Sequence, residues 1–167
     1  LTITLILIGS ILLAISAKVQ VPFWPVPMTM QTFVIFLIGM TYSIRLSFAT
    51  VAFYLFQGAI GLPVFAAGGG VAYLVGPTAG YLYGMLFASI VISYLANLGF
   101  SKTYFKATVS LLIGSAIIFS FGIIYLGYII GFEKAVVAGL LPFMPSELFK
   151  IALAVALIPT LHKIITK

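Results

Sequence analysis

Cysteine is absent from this 167-residue chain, which carries only two acidic residues and one histidine. Without thiols there is neither a disulfide framework nor a thiolate metal site. Two carboxylates and a lone imidazole, His162, make no metal-ligand cluster, and no nucleophile–base pair stands out, so no catalytic residue is expected. No Gly-Lys-Ser/Thr follows the Gly-rich stretch, and no basic residue lies between Arg45 and Lys102. That excludes a phosphate-binding loop of the Walker type. Charge of either sign is scarce, at 6% of residues, against 63% that are apolar. The net charge of +6 comes from basic residues scattered singly, which suits membrane topology and not a nucleic-acid surface.

What is abundant is continuous apolar sequence. Mean hydropathy is +1.32, and no soluble domain of this size could bury so much apolar surface. The runs are long and unbroken, so they read as helices; barrel strands would be short and alternating. The expected fold is an all-α integral membrane protein, a single bundle of six transmembrane helices with irregular extracellular loops. The expected spans are residues 1–17, 28–42, 46–61, 78–98, 107–130 and 146–165. Because apolar sequence begins at Leu1, a longer N-terminus is expected ahead of it, not a cleaved signal peptide.

Three connections differ in kind from the spans. Lys18 to Pro27 holds Pro22, Pro25 and Pro27 and cannot be helical throughout, while Phe23 and Trp24 belong at an interface. Leu62 to Pro77 holds Pro63, Gly68-Gly69-Gly70 and Gly76, too many breakers for a helix. Such backbone at membrane depth is tolerated only where protein buries it or where it lines a cavity. The connection from Glu133 to Pro145 is semi-apolar. Six spans put both termini on one side, with Arg45, Lys102, Lys106, Lys163 and Lys167; the other side holds Lys18, Lys134, Lys150 and both acids. A bias of five basic residues against three places the termini in the cytoplasm and the unusual segments outside.

Charged side chains near lipid are costly and usually face the bundle interior or a wet cavity. Glu147 and Lys150 fall three residues apart at the start of the last span, so they share a face, with the acid near the positive end of the helix dipole. They read either as a structural ion pair or as a site for a polar ligand. Thr29 and Gln31, entering the second span, read either as a helix cap with a polar interface residue or as ligand contacts. The glycines either let the chain turn or bring backbone groups, at Gly68 and Gly69, against a ligand.

Four stretches taken in series carry a resemblance. Pro25-Val26-Pro27-Met28-Thr29-Met30-Gln31-Thr32, Gly58-Ala59-Ile60-Gly61-Leu62-Pro63-Val64-Phe65, Gly76-Pro77-Thr78-Ala79-Gly80-Tyr81-Leu82-Tyr83-Gly84 and Leu141-Pro142-Phe143-Met144-Pro145-Ser146-Glu147-Leu148-Phe149-Lys150 resemble the BioY family. These are the biotin-specific substrate-binding subunits, or S components, of energy-coupling factor transporters. The resemblance covers essentially the whole chain. It implies a plasma-membrane protein that captures biotin from outside with high affinity, as cargo and with no cofactor. Its implied partners are a transmembrane coupling subunit and a pair of ATPases.

By the same resemblance, small residues of the first helix (Ser10, Ala14 and Ala17) would dock on the coupling subunit. The site is expected to use Lys150 for the biotin carboxylate and Glu147 or Gln31 for the ureido N–H groups, with Thr29 beside them. Tyr73, Tyr81, Phe65 and Trp24 would cover the thioether ring. Two departures from the family pattern stand out: Ser146-Glu147 where Gly-Asp is usual, and Ala66-Ala67-Gly68-Gly69-Gly70 where some members carry an Asn. An S component for thiamine or riboflavin, an ion-coupled transporter using Glu147 as proton carrier, and a bundle that binds nothing are the other readings.

Overall fold

The computed structural model describes residues 1–165, so Lys167 lies outside the described residues. Six long helices account for most of them: α1 (Thr2–Lys18), α2 (Gln31–Thr41), α3 (Ile44–Ala59), α4 (Ala79–Leu95), α5 (Tyr104–Ile130) and, after a short α6 (Phe132–Gly139), α7 (Met144–Ile165). Three stretches, Ala79–Phe100, Tyr104–Ile130 and Phe132–Thr160, are long and apolar enough to cross a membrane, while α1 and α2 are shorter apolar helices. The protein is an all-helical integral membrane protein. Its helices start and stop where local chemistry allows. The Ser43 hydroxyl caps α3 by accepting from Leu46 N, and Thr103 does the same for α5 from Lys106 N. Gly131, at φ +95°, breaks α5 and turns the chain into α6.

Two elements differ from the sequence expectation. The second span was expected from residue 28, but Gln20–Val21 (β1) pairs antiparallel with Met28–Thr29 (β2), and α2 begins only at Gln31. With 11 residues, α2 is about 17 Å long, well short of a hydrocarbon core of about 30 Å. The hairpin occupies the stretch ahead of α2, and its prolines agree with its not being helix. The other addition is α6, inside what reads as a semi-apolar connection. It buries Ala135 and Gly139 and exposes Glu133, Lys134 and Val137.

Packing converges on α4 and α5, where small residues let backbones meet. A Cβ on Gly84 would lie 2.8 Å from Ile118 Cα, and one on Gly80 would lie 2.5 Å from Phe121 O. The core beside them holds Leu13, Ile35, Phe36, Ile92, Leu111, Ile118 and Leu126, all fully buried. Because the long helices alternate in direction, the hairpin, the Leu62–Pro77 segment and the start of α7 meet at one end. Lys18 Nζ donates to Phe65 O (2.6 Å) and Gln20 Nε2 to Ala66 O (2.8 Å), tying the first two of these together.

Candidate functional site

The way α7 begins fixes the charged pair. A 3-10 turn, Leu141–Phe143, leads directly into Met144 and Pro145, and proline is tolerated in a first turn because its nitrogen has no intrahelical bond to make. Glu147 then falls in that first turn, with Lys150 at i+3. Both residues are 3% exposed, and Lys150 Nζ stands 3.6 Å from Glu147 Oε2. Hydroxyls from two other helices complete the cluster. Thr32 of α2 donates to Glu147 Oε2 (3.1 Å) and accepts from Lys150 (3.1 Å). Ser115 of α5 donates to Glu147 Oε1 at 3.2 Å. Lys150 also donates to Thr29 O at 2.5 Å, reaching strand β2 just before α2 begins. Charges buried this deeply persist only when paired and hydrogen-bonded, and each of these is.

The pair forms part of the wall of a cavity of about 40 Å³. Thr29, Gln31 and Thr32 line it from the hairpin and α2; Tyr81, Leu82 and Met85 line it from α4. Ile118 and Phe119 of α5, Phe143 before α7, and Val26, Pro27, Ala66, Tyr73 and Thr78 of the loops complete it. The wall is mainly apolar and aromatic, with a few convergent polar groups, which is the usual make-up of a small-molecule site. Gln31 Nε2 donates to Tyr54 OH (2.6 Å), which donates in turn to Val64 O (2.8 Å). Gln31 Oε1 accepts from Thr29 Oγ1 at 3.3 Å, so one N–H and one lone pair of that amide stay available. Tyr81 OH donates to Gly139 O (2.6 Å), and its ring meets Phe119 edge-on at 5.9 Å.

Six of the residues singled out from sequence therefore come together at the cavity: Lys150, Glu147, Gln31, Thr29, Tyr81 and Tyr73. Gly68 and Gly69 do not line it. Gly68, at φ +131°, exchanges backbone hydrogen bonds with Phe65 (2.8 and 3.3 Å) to close a tight loop. A Cβ on Gly69 would sit 2.0 Å from Leu62 O, so both glycines serve the turn, and Ala66 is the residue of that loop at the wall. Phe65 stands behind the wall, fully buried and stacked on Tyr73 at 4.8 Å. Trp24 is 86% exposed and lies in a surface groove against α6, away from the cavity.

Of the small residues of α1, Ser10 and Ala17 are buried and Ala14 is partly buried against the core. Outside stand Leu7, Ile8, Ile11, Leu12 and Ile15. Thr32 and Ser115 were not anticipated. Thr32 carried the same signal as its neighbour Gln31, a polar side chain entering an apolar run. Ser115, midway along α5, carried none that separates it from other membrane-embedded serines.

Fold and cavity together define an all-helical membrane protein with an apolar, aromatic cavity set against a buried ion pair. The whole chain, residues 1–167, matches the BioY family. It is 37% identical to a probable biotin transporter BioY of Rickettsia prowazekii, over 87% of this chain and 75% of that protein. It is 36% identical to the biotin transporter BioY of Thermotoga maritima, over 92% of this chain and 90% of that one. The fold superposes with a TM-score of 0.85 on the crystal structure of the S-component for biotin from an ECF-type ABC transporter, at 25% identity, covering 97% of this chain and 90% of that one. The chain belongs to the BioY family.

Proposed function

We propose that this chain binds biotin and acts in its uptake as the substrate-specific subunit of an energy-coupling factor transporter. The observation that carries the reading is the hydrogen-bonding capacity left unused at the Glu147–Lys150 pair, set in an apolar, aromatic wall. Together the two charges are neutral, and two ammonium protons are committed to Thr29 O and Thr32 Oγ1. Little positive charge remains there for a ligand carboxylate. What remains is an acceptor position on Glu147, a third Lys150 proton that leans toward the acid, and both functions of the Gln31 amide. That set complements a neutral cyclic urea, with two N–H donors and one carbonyl. The ureido ring of biotin therefore goes to the pair, and its thioether ring to the aromatic wall. The valerate carboxylate then points toward the hairpin end of the molecule, where Lys18, outside the cavity lining and hydrogen-bonded to Phe65 O, is an exposed cation. This arrangement moves the carboxylate away from Lys150, to which the sequence reading assigned it.

The same reading places both termini in the cytoplasm and the cavity mouth outside. Its partners would be a transmembrane coupling subunit and a pair of ATPases, with biotin as cargo and no cofactor. A thermal-unfolding series of the purified protein with biotin, thiamine and riboflavin tests the substrate. A ligand that binds only the folded state at about a hundred times its Kd stabilises by about 2.7 kcal/mol. Biotin alone should raise the Tm, and the rise should vanish in Glu147→Gln. A rise with another vitamin and none with biotin overturns the assignment.

A further inference from the structure

Ser115 does not line the cavity, yet it is the only contact from α5 to the buried acid among the described hydrogen bonds. It is 7% exposed and lies one helical turn before Ile118 and Phe119, which are part of the wall. An ionised carboxylate offers about four lone-pair sites. On Glu147, Oε2 faces both Thr32 and Lys150, and Oε1 takes only Ser115. One site on Oε1 is left, and its direction depends on where Ser115 holds that oxygen. Glutamate has one more rotatable bond than aspartate, so without a second anchor its carboxylate can swivel about the Thr32 contact.

We infer that Ser115 is a positioning residue for substrate recognition: its hydroxyl sets the orientation of the Glu147 carboxylate so that the free lone pair of Oε1 accepts a ligand N–H. This rests on the proposed biotin site and names a determinant of its selectivity. It also ties the reach of Glu147 to a hydroxyl on a different helix. Shortening the acid to aspartate withdraws the carboxylate from α5 and makes Ser115 dispensable.

The experiment measures Kd for biotin and for a biotin analogue in which one ureido N–H is N-methylated, using wild type, Ser115→Ala, Ser115→Thr, Glu147→Asp and the Glu147→Asp/Ser115→Ala double variant. A hydrogen bond to a charged group corresponds to a loss of about ten- to a hundredfold when removed. Ser115→Ala should weaken biotin by about that factor and weaken the analogue lacking the recognised N–H far less, compressing the selectivity ratio. Ser115→Thr should restore both. In the Glu147→Asp background, Ser115→Ala should add little, a non-additivity expected only of coupled groups. A purely structural serine would lower both affinities in parallel, and that result, or an unchanged biotin Kd in Ser115→Ala, overturns the inference while leaving the biotin site standing. No biotin binding by wild type overturns both. The two N-methyl isomers are assayed separately, since only one N–H meets Oε1; equal losses for biotin and both isomers overturn the inference.

Discussion

Substituting Lys150 by methionine leaves the Glu147 carboxylate buried with two hydroxyls and no cation, whereas substituting the acid as well removes the charge that needs a partner. Breaking one side of a buried pair costs about 3–5 kcal/mol, while replacing both sides with neutral groups of similar volume is often neutral. Lys150→Met is therefore expected to lower the Tm of the unliganded protein sharply, and Lys150→Met/Glu147→Gln to recover most of the loss. Thermal unfolding in detergent decides it: a double variant as unstable as the sum of the singles would mean the two charges do not compensate each other. The pair itself was legible in sequence, because charge is so rare here that spacing alone put Glu147 and Lys150 on one face. Their hydroxyl partners were not. Ser10, Ser16 and Ser89 return their hydroxyls to carbonyls three residues back, and Thr50 and Thr108 to carbonyls four residues back. A serine or threonine in an apolar helix can satisfy itself locally in that way. Nothing in the residue pattern says that Ser115 instead reaches across to α7.

At the scale of elements, the cavity wall depends on how closely α4 and α5 approach. Tyr81, Leu82 and Met85 on one helix face Ile118 and Phe119 on the other, and the glycines between them set the spacing. Gly84 has the backbone of Ile118 within 2.9 Å of where its Cβ would stand, so no side chain fits without moving a helix. Overpacking of this kind costs about 1–3 kcal/mol. Gly84→Leu should lower the Tm and, by displacing Ile118 and Phe119, weaken biotin binding more than it weakens the fold. A titration showing an unchanged Kd in a destabilised but folded variant would separate the wall from the helix contact. Helix positions were largely legible, since α3, α5 and α7 start within three residues of where hydropathy and caps put them. The hairpin was not, because apolar Met28 and Met30 flank Thr29 and so prolong the run of α2, and pairing with Gln20 and Val21 is a non-local event. For the same reason α6 was missed: an eight-residue helix gives too little periodicity to stand out from a semi-apolar connection.

For the molecule as a whole, the asymmetry of charge between its two ends is what bears on orientation. At the end away from the cavity, Arg45, Lys102, Lys106 and Lys163 lie among the α2–α3 and α4–α5 connections and the last turns of α7. Lys106 and Lys163 sit over the rings of Phe100 and Tyr104, at 5.9 and 4.8 Å, as cations anchored at an aromatic rim do. At the cavity end Lys150 is buried against Glu147 and Lys134 is preceded by Glu133, so Lys18 and Lys134 are the basic residues left to weigh there. Four described cations against two keep the excess of two that the sequence count of five against three gives. It predicts that the cavity opens to the outside, as uptake requires. The lack of cysteine makes this directly testable, because any cysteine introduced is the chain's sole thiol. Trp24→Cys, at a position 86% exposed beside the cavity end, should react with a membrane-impermeant maleimide on intact cells. Lys102→Cys, exposed at the opposite end, should react only after the cells are permeabilised. The reverse pattern would place the site in the cytoplasm, where it could not capture biotin from outside.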